Sequence, residues 1–217
     1  SAGALALALN NLGYHYHQLG DYQQALVTFQ EGLRIVAHVP DNRAESYLRW
    51  SLGDLQRDQG IFDEAIRLYN KALELIGGSE PSLRASILIS ASNLQRWRLK
   101  LHEALLLADD AVAPSKTHNL APERALAQAA FWTTRALSGQ ARDAAGNLEA
   151  VLSDLNRQGN KIEVVQVLAQ YVLVHLLAEN VMAARDCLRT AIATAQDGGS
   201  LQPLVAEAVH TPILQKF

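Results

Sequence analysis

Aromatic and ionisable side chains gather at a few places along this 217-residue chain. They are Tyr14 and His17, then Tyr47, Trp50, Asp54 and Arg57, then Asn93, Arg96 and Trp97, with Thr133 beyond them. These residue types do the chemistry of holding rather than of bond making. Aromatic faces supply contact area, and Arg, Asp and Asn groups fix the orientation of whatever lies against them. Tryptophan faces are also platforms for a sugar or another flat apolar surface. The plainer alternative is that Trp50 and Trp97 pack between neighbouring helices while Arg57 and Arg96 form solvated ion pairs. Trp132 stands where the repeat has a small residue, and reads as core.

Bond-making chemistry finds no motif to support it. The chain has no GxxxxGK[ST], no GxGxxG after a strand, no HExxH, no GxSxG and no CxxC. The seven histidines are scattered: His15 and His17 lie two apart on a helix and point different ways, while His38, His102, His118, His175 and His210 fall in separate elements. We therefore expect no metal site, no cofactor and no enzymatic activity. The one cysteine, Cys187, has no partner motif and reads as core filling; it excludes an internal disulfide and fits a reducing cytoplasm.

Charge narrows the partners. Nineteen basic residues against 22 acidic ones, a net charge of -3, do not make a phosphate-neutralising surface, so no direct nucleic-acid contact is expected. The densest basic run, Arg96-Trp97-Arg98-Leu99-Lys100, is too short for one and reads as a locally solvated face. No stretch reaches the roughly 18 consecutive apolar residues of a membrane span. The apolar N-terminus lacks a basic flank and does not read as a signal peptide. The expected setting is cytoplasmic, and the abrupt ends in patterned sequence suggest a piece of a larger protein.

The elements that would carry these side chains repeat. Ala25, Ala65, Ala104, Ala144 and Ala184 follow one another at intervals of 39 or 40 residues. The first is surrounded by Leu12-Gly13, Tyr16, Gly20-Asp21-Tyr22, Phe29 and Gly32-Leu33, the second by Leu52-Gly53, Gly60-Ile61-Phe62, Tyr69 and Ala72-Leu73. Later units keep the spacing with fewer matches: Ala91-Ser92, then Phe131-Trp132 with Gly139, then Tyr171-Val172. Small residues at Gly13, Gly53 and Ser92 let two antiparallel helices approach, and Tyr22, Phe62, Phe29 and Tyr69 fill the gap to the next pair. A pair cannot bury its apolar stripe alone, so neighbours stack.

A composition rich in Leu, Ala and Gln favours helix, and no segment alternates with period two, so no sheet is expected. Helices are expected over 4–19, 23–38, 43–58, 63–76, 82–98, 102–113, 122–138, 142–157, 161–178 and 182–197, with a short one near 203–215 that Thr211-Pro212 interrupts. Asp41 and Ser79 read as N-caps, Pro81 and Pro122 suit first turns, and Ala113 to Pro122 reads as a linker.

The order Leu-Gly, Tyr, Gly-x-Tyr, Ala, Phe, Ala-Leu resembles the tetratricopeptide repeat (TPR) signature. The resemblance implies an all-α, right-handed superhelical TPR-like solenoid of five antiparallel helix pairs. Its units would span about 4–42, 43–81, 82–121, 122–160 and 161–199, with a tail at 200–217, in a single domain over 1–217. In TPR proteins the first helix of each pair lines a concave surface. That places Tyr14, His17, Tyr47, Trp50, Asp54, Arg57, Asn93, Arg96, Trp97 and Thr133 there as the candidate binding groove. Asn11 and Asn93 are similar to the carboxylate-clamp asparagines of chaperone-binding TPRs, but the clamp's basic partners are missing at their places.

The period near 40 and the tail from Ala195 to Glu207 resemble the sensor domain of MalT-like, LuxR-family transcriptional activators. That sensor lies between an NTPase module and a C-terminal helix-turn-helix. The resemblance implies a larger regulator with those neighbours, whose groove takes a small-molecule inducer or a protein or peptide partner. The alternatives are a generic TPR scaffold for a peptide or protein, and an accessory domain of an enzyme.

Overall fold

The computed structural model describes residues 1–117 and 120–216, with the backbone alone for 114–117. His118 and the last residue of the tail lie outside the described residues. Eleven α-helices run in order: α1 (Ala2–Gln18), α2 (Tyr22–His38), α3 (Asn42–Asp58), α4 (Phe62–Ile76), α5 (Pro81–Trp97), α6 (Leu101–Thr117), α7 (Ala121–Arg135), α8 (Ala141–Gln158), α9 (Lys161–Leu177), α10 (Val181–Gln196) and α11 (Gln202–His210). No strand occurs among the described residues. The fold is an all-helical, TPR-like repeat. Contacts divide it into two compact units, one spanning Ser1–Ala91 and the other beginning at Ser92.

Side-chain caps set several helix starts. Asp21 accepts from the Gln24 amide at 3.1 Å, Asp41 from Ala44 at 2.9 Å, and Asn180 from Ala183 at 3.2 Å. Each satisfies an amide that the first turn leaves without an intrahelical partner. Ser79 behaves otherwise than expected. Its hydroxyl donates back to the Ile76 carbonyl at 2.6 Å, closing α4, while Pro81 opens α5. The linker expected from Ala113 is also shorter, because the backbone of α6 stays helical for one more turn, to Thr117.

Within a pair, every turn uses one geometry. Gly20 (φ 78°), Gly60 (φ 79°), Leu99 (φ 58°), Gly139 (φ 93°) and Glu179 (φ 60°) occupy corresponding positions, 39 or 40 residues apart, and all are left-handed. At the first turn Asp21 N–H donates to Tyr16 C=O and Gly20 N–H to His17 C=O, both at 2.9 Å. The same pair of bonds recurs at Ile61 and Gly60, at Lys100 and Leu99, and at Asn180 and Glu179. This is the left-handed helix stop that glycine makes cheaply and other residues make at a cost.

The five repeat alanines are all completely buried, which shows that the register persists where the surrounding signature fades. In the first unit the expectation for the large residues is refined. Phe29 and Tyr69 each lie on the glycine of their own pair, and Phe29 also joins a core with Leu48 and Leu52 of the next pair. A Cβ on Gly13 would stand 2.5 Å from the Phe29 ring, and one on Gly53 would stand 2.6 Å from Tyr69. At the third such position Ser92 replaces glycine, and its hydroxyl donates across to Ala104 C=O at 2.8 Å. In the second unit Trp132 packs beside a core built from residues such as Ala144, Leu148, Leu155 and Val167.

Two substitutions separate these constraints. Gly53→Val forces the Tyr69 ring off its seat and is expected to destabilise the fold by about 1–3 kcal/mol in urea titration. Leu99→Gly relieves a left-handed residue whose side chain is largely exposed, and is expected to stabilise by about 0.5–1 kcal/mol in the same assay.

Candidate functional site

The candidate residues of the first unit meet around a buried carboxylate. Arg57 and Asp58 close α3, and His17 closes α1, beside the left-handed turns just described. His17 Nε2 lies 2.9 Å from Asp58 Oδ2. An ionised carboxylate only accepts, so that nitrogen carries the proton. Arg57 donates to Asp58 Oδ1 at 2.8 Å and to Asp54 Oδ1 at 3.1 Å, and the Tyr69 hydroxyl donates to Asp54 Oδ1 at 2.6 Å. His17, Asp54 and Arg57 thus join one network with Asp58 and Tyr69. Arg57 is not the solvated ion pair expected from the sequence.

Electrostatics follow from that enclosure. Burial alone would raise the Asp58 pKa, but the Arg57 charge and the His17 hydrogen bond outweigh it and hold the carboxyl down at about 2. Tyr69 is pushed well above its ordinary 10, first by burial and then by the Asp54 charge.

Beside this network lies a more open aromatic group. Trp50 is half-buried and donates its indole N–H to Ser90 Oγ at 2.9 Å, which ties one edge of the ring and fixes its plane. The Tyr47 ring lies 6.3 Å from that of Trp50, and the Arg43 guanidinium sits 5.4 Å from the Tyr47 centroid. Tyr14, 37% exposed, meets His15 edge-on at 6.2 Å.

In the second unit Asn93, Arg96, Trp97 and Thr133 come together around a residue that was noted only for the character of the tail. Arg96, 1% exposed, donates NH1 to Glu207 Oε1 at 2.7 Å and NH2 to Oε2 at 2.6 Å. The Trp97 indole donates to Oε2 at 3.2 Å and the Thr211 hydroxyl to Oε1 at 2.9 Å. Asn93 Oδ1 accepts from Gln170 Nε2 at 3.2 Å, and Thr133 Oγ1 stands 3.1 Å from Gln170 Oε1. Burial would raise the Glu207 pKa, yet the Arg96 charge and these hydrogen bonds lower it. The expectation of a locally solvated face at Arg96 therefore fails. Its partner comes from α11, 111 positions along the chain.

Sequence reasoning missed Glu207, Gln170 and Ser90, and took Tyr69 as filler alone. One signal was present: Glu207 is the only acidic residue after Asp197, set inside Leu-Val-Ala-Glu-Ala-Val. A lone carboxylate in an apolar helix calls for a buried cation.

Among the described residues no group of three or more His, Cys, Asp or Glu side chains is placed to hold a metal ion. Burial pushes the half-buried Cys187 thiol up to about 11, so it stays protonated at neutral pH. No helix of the described residues is long and apolar enough to cross a membrane.

Residues 4–76, which take in α1 to α4 almost entirely, match the tetratricopeptide repeat family model. No curated protein matches the sequence. Solved structures share the fold. BtubC (BKLC) from P. vanneervenii aligns with a TM-score of 0.65 at 18% identity, over 91% of this chain and 83% of that one. RapI in its apo form aligns with a TM-score of 0.65 at 12% identity, over 88% and 70%. A signal transduction ATPase with numerous domains (STAND) and a tetratricopeptide repeat sensor, from Pyrococcus horikoshii, aligns with a TM-score of 0.58 at 12% identity. That alignment takes in 100% of this chain and 37% of the ATPase. TPR-like repeats of this kind are typically non-catalytic scaffolds that bind peptides or proteins.

The Asp58 network carries a pH signature. A carboxyl held at about 2, below its ordinary 3.8, contributes stability that is complete above pH 4 and lost as pH falls toward 2. The lowered pKa corresponds to about 2 kcal/mol. Stability measured by urea titration is expected to fall by at least that amount across this window in the wild type, since the lowered Glu207 carboxyl adds to the loss. In Asp58→Asn the fall is shallower, from a starting stability already lower because Arg57 loses a buried partner.

Proposed function

We propose that this chain is a single sensing domain of a MalT-like, LuxR-family transcriptional regulator. It binds an inducer or a protein partner on the first helices of its pairs and passes the bound state to a neighbouring NTPase module and helix-turn-helix. The observation that carries the binding part is the open aromatic group of Tyr47 and Trp50, backed by the closed network of Asp54, Arg57 and Asp58. A half-buried indole held in place by Ser90 has already lost much of the rotational freedom that a ligand would otherwise have to restrict. The STAND ATPase with a tetratricopeptide repeat sensor supports the regulatory part, as a protein in which a fold of this kind serves as the sensor of a larger ATPase.

Signalling by such a domain needs no chemistry. A ligand shifts an equilibrium between two arrangements by as much as its affinity for them differs. The second reading, a generic TPR scaffold for a peptide or protein, draws the same support from the fold and the match over residues 4–76. The ten candidate residues divide between the two units. In the first unit Tyr14 is exposed and Tyr47 and Trp50 are half-buried, while His17, Asp54 and Arg57 form the network there; in the second unit Asn93, Arg96, Trp97 and Thr133 are held by contacts within the chain.

Two measurements decide between them. The parent gene is expected to encode a P-loop upstream and a helix-turn-helix downstream; if both are missing, the scaffold reading replaces the regulator. A thermal-shift screen of sugars, small organic acids and nucleotides is expected to yield a ligand whose affinity Trp50→Ala weakens about tenfold or more. An identified ligand with unchanged affinity for Trp50→Ala removes this face from the site.

A further inference from the structure

In the second unit, the polar groups that the sequence offers to a partner are already taken by the chain itself. Arg96 and Trp97 end α5, and three of their N–H groups converge on the two oxygens of Glu207 from α11. We infer that α11 is a built-in occupant of an acidic-peptide seat, and that the external partner of this surface is a helical segment carrying a Glu three residues after a Leu, which binds by displacing α11. The inference rests on reading the first-helix face as a binding surface.

The receptor half of the seat is independent of its occupant. Its donors stand on one helix, at consecutive positions, with Asn93 one turn earlier and linked through Gln170 to Thr133. With α11 in place the Arg96 guanidinium is 1% exposed and its charge is met by Glu207, so the seat selects a carboxylate by charge. Bidentate pairing also fixes how the carboxylate is turned. Arg96 Nε, likewise buried, has no partner among the described residues, so the occupant leaves one donor of the seat unused.

The occupant half is lightly built. A helix of nine residues is not stable alone in water, so α11 depends on what it touches. Its inward face carries Gln202, Leu204 against the unit's core, Ala206, Glu207, and His210 with its ring 4.6 Å from that of Trp97, and the buried Thr211 follows it. Val205 and Val209, on its other side, are about half exposed. Gly198-Gly199 precede it, Gly198 in a left-handed conformation, and Thr211-Pro212 follow it. The helix is thus a short acidic segment between two backbone breaks, with the Glu207 carboxylate as its one charged anchor.

The test uses a fluorescein-labelled peptide with the sequence of residues 200–213, titrated by anisotropy into the full chain and two variants of it. Glu207→Gln removes the internal carboxylate; Ala208→Pro breaks α11 without touching the donors. Wild type is expected to bind weakly because its seat is filled, and both variants to bind about tenfold more tightly or better. A peptide with Gln in place of its Glu is expected not to bind any of the three. Equal affinity for wild type and variants, or no binding to the variants, overturns the inference. So does loss of helical circular dichroism in both variants, which would make α11 a permanent part of the unit. A ligand found at Trp50 would be untouched by any of these failures, so failure of this inference is distinguishable from failure of the sensing function.

Discussion

Two antiparallel helices can share an aromatic ring only where one of them surrenders its side chain. In the first unit that condition is met twice, with Phe29 on Gly13 and Tyr69 on Gly53, and each pair is closed around the contact. Close approach then decides much else. In the second pair it lets the Tyr69 hydroxyl reach Asp54. One glycine therefore serves packing and electrostatics together. Where Ser92 stands instead, the helices hold one another through a hydroxyl-to-carbonyl bond.

Each unit buries a carboxylate, and in each both carboxylate oxygens are met by donors. A carboxylate shut away from water costs several kcal/mol unless its oxygens are met by donors. Asp58 meets that requirement with Arg57 and His17, all drawn from neighbouring helix ends. Glu207 meets it with Arg96, Trp97 and Thr211, drawn from distant parts of the chain. The first arrangement reinforces a repeat that would form anyway. The second ties a separate segment to the repeats, which is why it bears on function and the first on stability.

Much of this was legible in the sequence. The alanine period, the glycines at Gly20, Gly60 and Gly139 and the aromatic positions specify helix pairs because close packing and left-handed turns restrict residue choice. The helix breaks at Leu99 and Glu179 were legible from the period, but their left-handed conformation was not, since a non-glycine residue gives no sign that it will adopt positive φ. Ser79 was misread because a hydroxyl can serve the helix behind it as well as the one ahead. The arginines were misplaced for a different reason. Inspection of neighbours on one helix shows where a solvated pair could form, but not that Glu207 would arrive from α11. Thr133, Asn93 and Gln170 are likewise invisible as a set until three helices are side by side.

The 111-residue separation between Arg96 and Glu207 also orders events in time. The left-handed turns close within six residues and the pairs within about forty, so each pair can form soon after it is synthesised. Glu207 leaves the ribosome after Arg96 by an interval on the order of ten seconds at ordinary rates of translation. Throughout that interval the Arg96 guanidinium has no carboxylate from α11, and any acidic helix nearby meets a vacant receptor. A nascent chain is thus open to a competitor that the finished protein would resist, and the order of synthesis itself favours partners present at birth.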